Sequence, residues 1–405
     1  MQQWRVYTLF YCIIAMMAAL FFSRAMLSVV MMLFVAVSFL HKEPVEHLRR
    51  FIISPVLWGM SLLFFLPLLS GLWSTDTKQW LDTVRIKLPL LFLPLAFAAP
   101  FSFSAKRWNA LTWIFILLVV GGTIWSFFKY AVNTAAINEG YLSAKSMVTP
   151  LGNDHVRFSW LVSIAILSCG WMYFLGGLRS SMKYNVLAAA VWLILFLHLL
   201  AARTGLFSFY IGLLIAVAWL ISTKLSRLYG FLLLFVCLSL PLLAYYTIPT
   251  FQNKVKYFRY EWEHISGSGY LPGSNDGVRL ISMKAGWNIM KENPVCGVGF
   301  GDVMGASRDC YASGYPQMLE SDKIFPSSEW LMYGAGCGIP GLIIFTFVMC
   351  IPFFIRTKYR LYWLILNATA AFSFMADIGL EVQFGVFVYS FIVLWWWKRP
   401  EAEKT

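Results

Sequence analysis

At 405 residues, 60% hydrophobic and only 13% charged, with a mean hydropathy of +0.69, the chain has too little polar surface to stay soluble as a globular domain. Its formal charge of +13 resides in short clusters between apolar runs, without the basic stripe or tail that a nucleic-acid partner requires. The composition predicts an integral membrane protein surrounded by membrane lipids, with no nucleic-acid partner.

A membrane-spanning helix takes roughly 20 mostly apolar residues, fewer when mismatch is absorbed at the ends. After Arg5 the run 6–22 is longer than a signal-peptide core and predicts an uncleaved first span. The runs 25–40, 52–72, 86–99, 108–129, 157–177, 184–201, 204–222, 228–248, 330–355, 360–377 and 382–397 bring the expectation to about 12 transmembrane helices. The expected organisation is helices one to nine in 1–248, a large loop with amphipathic helices in 249–329, helices ten to twelve in 330–397 and a tail in 398–405.

Orientation follows from the basic residues, because short cytoplasmic loops retain Lys and Arg. His41 and Lys42 with Arg49 and Arg50, Lys106 with Arg107, Arg179 with Lys183, Lys224 with Arg227, Arg356 with Lys358 and Arg360, and Lys398 with Arg399 fall on one side if both termini are cytoplasmic. Arg24, Arg85 and Lys87 fall at the other side and weaken the pattern without reversing it.

The outer side then holds the long segments 130–156 and 249–329, and long loops commonly carry function. In the second, Val255, Phe258, Trp262 and Ile265 share one helical face, and 277–294 is a second amphipathic stretch. Asn293-Pro294 is a stop signal, followed by a glycine turn over 297–301. The seven cysteines have no CxxC spacing and no histidines at metal-ligand distance, so no metal site is predicted. Cys296 and Cys310 share the large loop and could pair if it faces an oxidising compartment.

Arg203 stands between two apolar spans at the start of the second, where an unpaired charge at membrane depth costs about 2.5–3.5 kcal/mol. A guanidinium beside the free amides of a helix start suits an anion. Arg279 repeats the arrangement in the first turn of a predicted helix capped by Ser274, Asn275 or Asp276. Snorkelling and a solvated helix face are the respective alternatives. Asp154-His155, with Arg157, is an acid–base pair at the entrance to an outer span. The GVGFG run follows a helix and lacks GK[ST], which argues for a tight backbone path over a nucleotide loop.

Taken in order, Arg203-Thr204-Gly205-Leu206, the outer Arg279, the NP-x-x-G-x-G-x-G run from Asn293 to Gly301 and the G-x-x-G of Gly338 to Gly341 resemble the bacterial O-antigen ligase and O-antigen polymerase superfamily. The resemblance implies a multi-pass protein of the bacterial inner membrane, with a fold resembling membrane glycosyltransferase class C and its active site at the periplasmic face. It implies a metal-independent, inverting glycosyltransferase without a cofactor. The donor would be a glycan on undecaprenyl diphosphate, and the acceptor lipid A-core or another glycan. Arg203 and Arg279 match the two arginines that hold the diphosphate, and preorganised guanidinium groups can stabilise its departing charge.

The family signature H-N-x-x-L, with a glycine eleven residues after the histidine, falls on Ser327, Ser328 and Leu331 when counted back from Gly338. A serine stands where the family's general base is expected. Glu329 could substitute, or His155 could reach in, or the protein could be a slow or non-catalytic homologue; an acid after a serine is also ordinary helix-start chemistry. The candidate catalytic residues are Arg203, Arg279, Ser327 and Glu329, and Gly299, Ser328, His155 and Arg157 join the arginines as candidate substrate-binding residues. The rival class is a lipid-linked oligosaccharide transporter, which would show related halves and a site at mid-membrane depth.

Overall fold

The computed structural model describes residues 3–223 and 227–399, which form helices and no β-strand. Lys224, the side chain of Arg227 and residues 400–405 of the expected tail lie outside the described residues. In chain order the helices are α1 (Gln3–Phe22), α2 (Arg24–Phe39), α3 (Pro44–Ile53), α4 (Pro55–Ser70), α5 (Thr77–Lys87), α6 (Pro89–Ala98) and α7 (Ala105–Val132). Then come α8 (Thr134–Gly140), α9 (Pro150–Asn153), α10 (His155–Leu175), α11 (Ser180–Leu200), α12 (Arg203–Thr223) and α13 (Arg227–Thr247). The last six are α14 (Pro249–Ser268), α15 (Asp276–Glu292), α16 (Val303–Gly314), α17 (Glu329–Phe354), α18 (Arg360–Met375) and α19 (Gln383–Lys398).

The expected apolar runs are helical, one of them divided, but among the described residues 7 helices are long and apolar enough to cross a membrane: α1, α7, α10, α11, α12, the part of α13 from Leu228 and α17. Helices α2 and α3, bent by 114°, would make an eighth as one broken span. The 16 residues of α4 reach only about 24 Å, short of a hydrocarbon core of about 30 Å. The expected run 86–99 is divided: Lys87 ends α5 and Pro89 starts α6, a helix of 10 residues.

Helix α19 is enclosed on nearly every face from Phe384 to Trp396, as suits a helix that is apolar all round. Its Phe387, Phe391 and Trp395 rings stack in succession at 5.1 and 6.3 Å. At its far end, Lys398 Nζ donates to the Ala99 carbonyl at 3.1 Å, and Arg399 donates to Asn109 at 2.9 Å and Thr112 at 3.0 Å. Arg5, also buried, donates to the Val37 and Ser38 carbonyls at 3.2 and 3.0 Å. Lys398 and Arg399, read from the sequence as markers of membrane side, also make structural bonds: Lys398, like Arg5, to carbonyls at a helix end, and Arg399 to side-chain oxygens of α7.

The segment 249–329 is a folded cap with three α-helices, one more than its amphipathic pattern predicts: α14, α15 and α16. It has its own apolar core, in which Tyr270, Val278, Ile281, Ala285, Tyr311 and Met318 are buried. The expected apolar face of α14 stays outside, with Val255, Phe258 and Trp262 exposed, while Glu261 points inward.

Two sequence motifs meet in one backbone joint. Helix α17 breaks at Cys337 and Gly338, and the loop after α15 pairs with the break: Val298 N–H donates to the Ala335 carbonyl at 2.9 Å and Gly299 N–H to the Gly336 carbonyl at 3.0 Å. Ile339 N–H returns a bond of 2.8 Å to the Pro294 carbonyl. Gly338 sits at φ 69°, and a Cβ there would lie 2.5 Å from the Pro294 oxygen, so both conformation and space require glycine. The cysteines of the cap are thiols, Cys296 exposed and Cys310 half-buried.

Candidate functional site

Arg203 opens α12 after a two-residue break in which Ala201 adopts φ 47° and caps α11 through a 3.2 Å bond to the Leu197 carbonyl. Two residues on, a Cβ at Gly205 would lie 2.5 Å from Ser159 Cβ, so only glycine lets the start of α12 press against α10. The Arg203 guanidinium is paired with the Asp276 carboxylate and lies 5.8 Å from the Phe258 ring centre, with its side chain 32% exposed.

Asp276 and Arg279 occupy the first turn of α15, whose cap differs from the sequence expectation. None of Ser274, Asn275 or Asp276 supplies the capping bond. The carboxylate of Glu261, reaching across from α14, accepts the Asn275 and Asp276 amides at 2.5 and 3.2 Å. An anion at a helix start is electrostatically favoured, and here it ties two cap helices together. Arg279 extends to the linker between α18 and α19, donating to the Ala376 carbonyl at 3.3 Å.

Arg157 reaches the same linker from the first turn of α10. It pairs with Asp154 at 3.3 Å and Asp377 at 2.8 Å, and donates to the Ile378 carbonyl at 3.1 Å. Burial pushes the Asp377 carboxyl up from its ordinary value, against the opposing pull of Arg157 and Arg279. Before α10, Leu151, Gly152 and Asn153 adopt φ values of 64°, 68° and 69°, a left-handed run unfavourable for leucine that fixes where His155 emerges. His155 is half-buried, with Lys254, Asp154, Arg279 and Arg157 within electrostatic range.

Lys254, one turn into α14, is the member of this cluster that sequence reasoning missed. No motif marks it. The available signal is its position directly after the ninth apolar run, at the Pro249 helix start.

The stretch Ser327-Ser328-Glu329 approaches the cluster without opening into it. Ser327 is buried against α15, its N–H donating to Ser282 Oγ at 3.1 Å and the two hydroxyl oxygens lying 3.0 Å apart. Ser282 also donates to the Arg279 carbonyl at 2.7 Å, so Ser327 lies one helical turn behind Arg279. Ser328 is buried beside the Phe374 carbonyl, at 3.5 Å. Glu329 has 0% exposure; its Oε1 accepts the Leu380 N–H at 2.5 Å and its Oε2 has no partner among the described residues. Beside it Lys87, also fully buried, pairs with Glu381 at 2.6 Å and donates to the Leu380 carbonyl at 3.1 Å. Glu329 thus joins α17 to the 379–381 turn.

Gly299 lies apart from the arginines, in the joint between the glycine loop and α17. Its Cβ, were there one, would collide with Ser74 Oγ. The adjoining Asp302 accepts from Thr75 N–H and hydroxyl at 2.7 Å each and from Asp76 N–H at 2.9 Å, docking the glycine loop on the turn after α4.

Further along the same helices a partly open cavity of about 920 Å³ lies between α10, α12 and α18, lined mainly by apolar side chains including Leu167, Phe209, Gly212 and Ile365, with Lys358 and Arg360 at its far end. Its lining begins at Ser163 and Ser208, six residues beyond Arg157 on α10 and five beyond Arg203 on α12. At 1.5 Å per residue these separations are about 9 and 7.5 Å. A cationic head and an apolar shaft thus share two helices, an arrangement able to hold a polar anion on a long hydrocarbon chain.

Residues 188–346, which include Arg203, Lys254, Arg279, Ser327 and Glu329, match the family model described as O-antigen ligase. No curated protein gives a significant match to the chain.

Proposed function

We propose, from the match of residues 188–346 to the O-antigen ligase family model, that the chain is a membrane glycosyltransferase of that ligase- and polymerase-type superfamily and moves a glycan from undecaprenyl diphosphate to an acceptor sugar hydroxyl at the periplasmic face of a bacterial inner membrane. The observation that supports this reading is the approach of Arg203 to the first turn of α15, which carries Arg279, at the start of α12, whose later turns line the apolar cavity. The diphosphate is bound by the two guanidinium groups, with Arg157 holding the linker beneath, and the polyprenyl chain lies in the cavity.

In the reaction the acceptor oxygen attacks the anomeric carbon from the face opposite the diphosphate. The carbon–oxygen bond to the phosphate breaks, its electron pair leaves with the diphosphate, and configuration inverts. Charge developing on the leaving group is stabilised by preorganised guanidinium groups, without requiring a divalent cation. Of the sequence candidates for base, Glu329 is enclosed and His155 is half-buried beside Asp154, whose carboxylate favours an imidazolium against the surrounding cations; the acceptor proton is assigned to that imidazole. Ser327 and Ser328 brace the start of α17. A cluster at the helix ends supports a transferase over a transporter, whose site is expected at mid-depth.

Reconstitution with a defined undecaprenyl diphosphate glycan tests the reading. Arg203→Ala and Arg279→Ala each lower transfer by at least about 10²-fold, and full activity in either variant overturns the diphosphate assignment. Offering a lipid-anchored core sugar and a second carrier-linked glycan as competing acceptors separates a ligase from a polymerase.

A further inference from the structure

The acids nearest Lys254 are already engaged. Asp276 is paired with Arg203, and Glu261 accepts the first amides of α15. Lys254 itself makes no hydrogen bond or ion pair among the described residues, and its Nζ lies 5.7 Å from the centre of the Tyr257 ring. Yet it is half-buried and within electrostatic range of Arg203 on α12, Arg279 and Asp276 on α15, His155 on α10 and Glu261 on its own helix. Its turn of helix is held in place. Thr250 donates to the Leu199 carbonyl at 2.5 Å and Asn253 to the Asn138 carbonyl at 2.8 Å.

A flexible ammonium normally turns toward water or an acid. Here three cations, Arg203, Arg279 and Lys254, face two carboxylates, Asp276 and Glu261, and the cost of gathering like charges is offset when a further anion enters. We propose that Lys254 is a third cationic ligand of the donor diphosphate, positioned by α14 to contact it together with Arg203 and Arg279. This inference rests on the reading that the site takes a polyprenyl diphosphate.

The electrostatics set a pH limit on that contact. Burial first, then Arg203 and later Arg279, lower the Lys254 ammonium against the upward pull of Asp276 and Glu261, bringing it to about 8. The cation is present below that value and lost as pH rises through it. An arginine in its place would stay charged throughout.

The test is calorimetric binding of geranylgeranyl diphosphate to the full-length protein in nanodiscs, from about pH 6.5 to about pH 9.5, for the parent, Lys254→Met, Lys254→Arg and Arg203→Ala. The expected result is an affinity in the parent that falls by up to about tenfold per pH unit above about pH 8. Lys254→Arg should hold its affinity across that range, and Lys254→Met should bind at least about tenfold more weakly at pH 7 with a flat profile. A Lys254→Met variant with the parent's melting temperature, affinity and pH profile overturns the assignment while leaving the diphosphate site intact. A parent without affinity at any pH, indistinguishable from Arg203→Ala, overturns the diphosphate reading and this inference with it.

Discussion

Ser282 and Ser327 lie with their hydroxyl oxygens 3.0 Å apart, and Ser282 also accepts the Ser327 N–H at 3.1 Å, joining the helix of Arg279 to the start of α17. The relationship is asymmetric. Ser327→Ala leaves its own amide satisfied by Ser282, whereas Ser282→Ala leaves a buried N–H without an acceptor, at a cost of about 1–3 kcal/mol. Thermal unfolding in detergent should therefore show Ser282→Ala clearly below the parent and Ser327→Ala close to it, with transfer by Ser327→Ala within about threefold of the parent. A collapse of transfer in a well-folded Ser327→Ala protein would return that hydroxyl to the chemistry.

His155 carries the proton-transfer role in the proposed reaction. Replacing it with asparagine should lower kcat by about 10²–10⁴-fold. KM for the donor should change by less than about threefold, because Arg203 and Arg279 remain. Steady-state kinetics on the reconstituted protein separate the two parameters. An unchanged kcat assigns the base elsewhere.

Glu329 and Lys87 belong to a buried polar junction, which should respond in stability before activity. Glu329→Gln keeps a carbonyl oxygen for the Leu380 N–H and should retain transfer, while Glu329→Ala removes that acceptor and costs about 1–3 kcal/mol. Lys87→Met leaves Glu381 buried without its 2.6 Å partner and costs about 3–5 kcal/mol. Melting temperatures in detergent order the variants as Gln, Ala, then Met. A fully stable, inactive Glu329→Gln would instead identify a catalytic carboxylate.

Asp302 gives the glycine loop an acid-sensitive fastening. Burial raises its carboxyl, but the bonds from Thr75 N–H, Thr75 hydroxyl and Asp76 N–H outweigh burial and leave it below its ordinary value of 3.8. A depressed carboxylate contributes stability above its unfolded value and loses it as pH falls through the folded one. The parent should therefore melt above Asp302→Asn at neutral pH, and the gap should narrow below about pH 4. A gap that stays constant into that range would mean the ionised carboxylate contributes nothing there.

The glycine motifs and the two arginines are legible in the chain because each is a short run with a local consequence: a helix start, a turn or a break. Reading Gly299 as a substrate residue and Glu329 as a reactive acid required knowledge of what packs against them. Gly299 faces Ser74 and Glu329 faces Leu380, neighbours that no local spacing reveals. Lys254 shows the converse, since nothing in its own sequence neighbourhood distinguishes it from Lys256, which is exposed two residues on.

Composition and apolar periodicity determined a helical membrane protein and the approximate limits of its helices, because the cost of placing backbone or charge in hydrocarbon acts on each segment separately. Which charges meet was decided by the tertiary structure. Arg203 finds Asp276 across 73 residues and Lys87 finds Glu381 across 294, distances that only helix packing can close. The fold likewise divided 86–99 at a buried lysine, enclosed the last apolar run as the central helix and assembled a cationic head above an apolar cavity from four separate helix starts: α10, α12, α14 and α15.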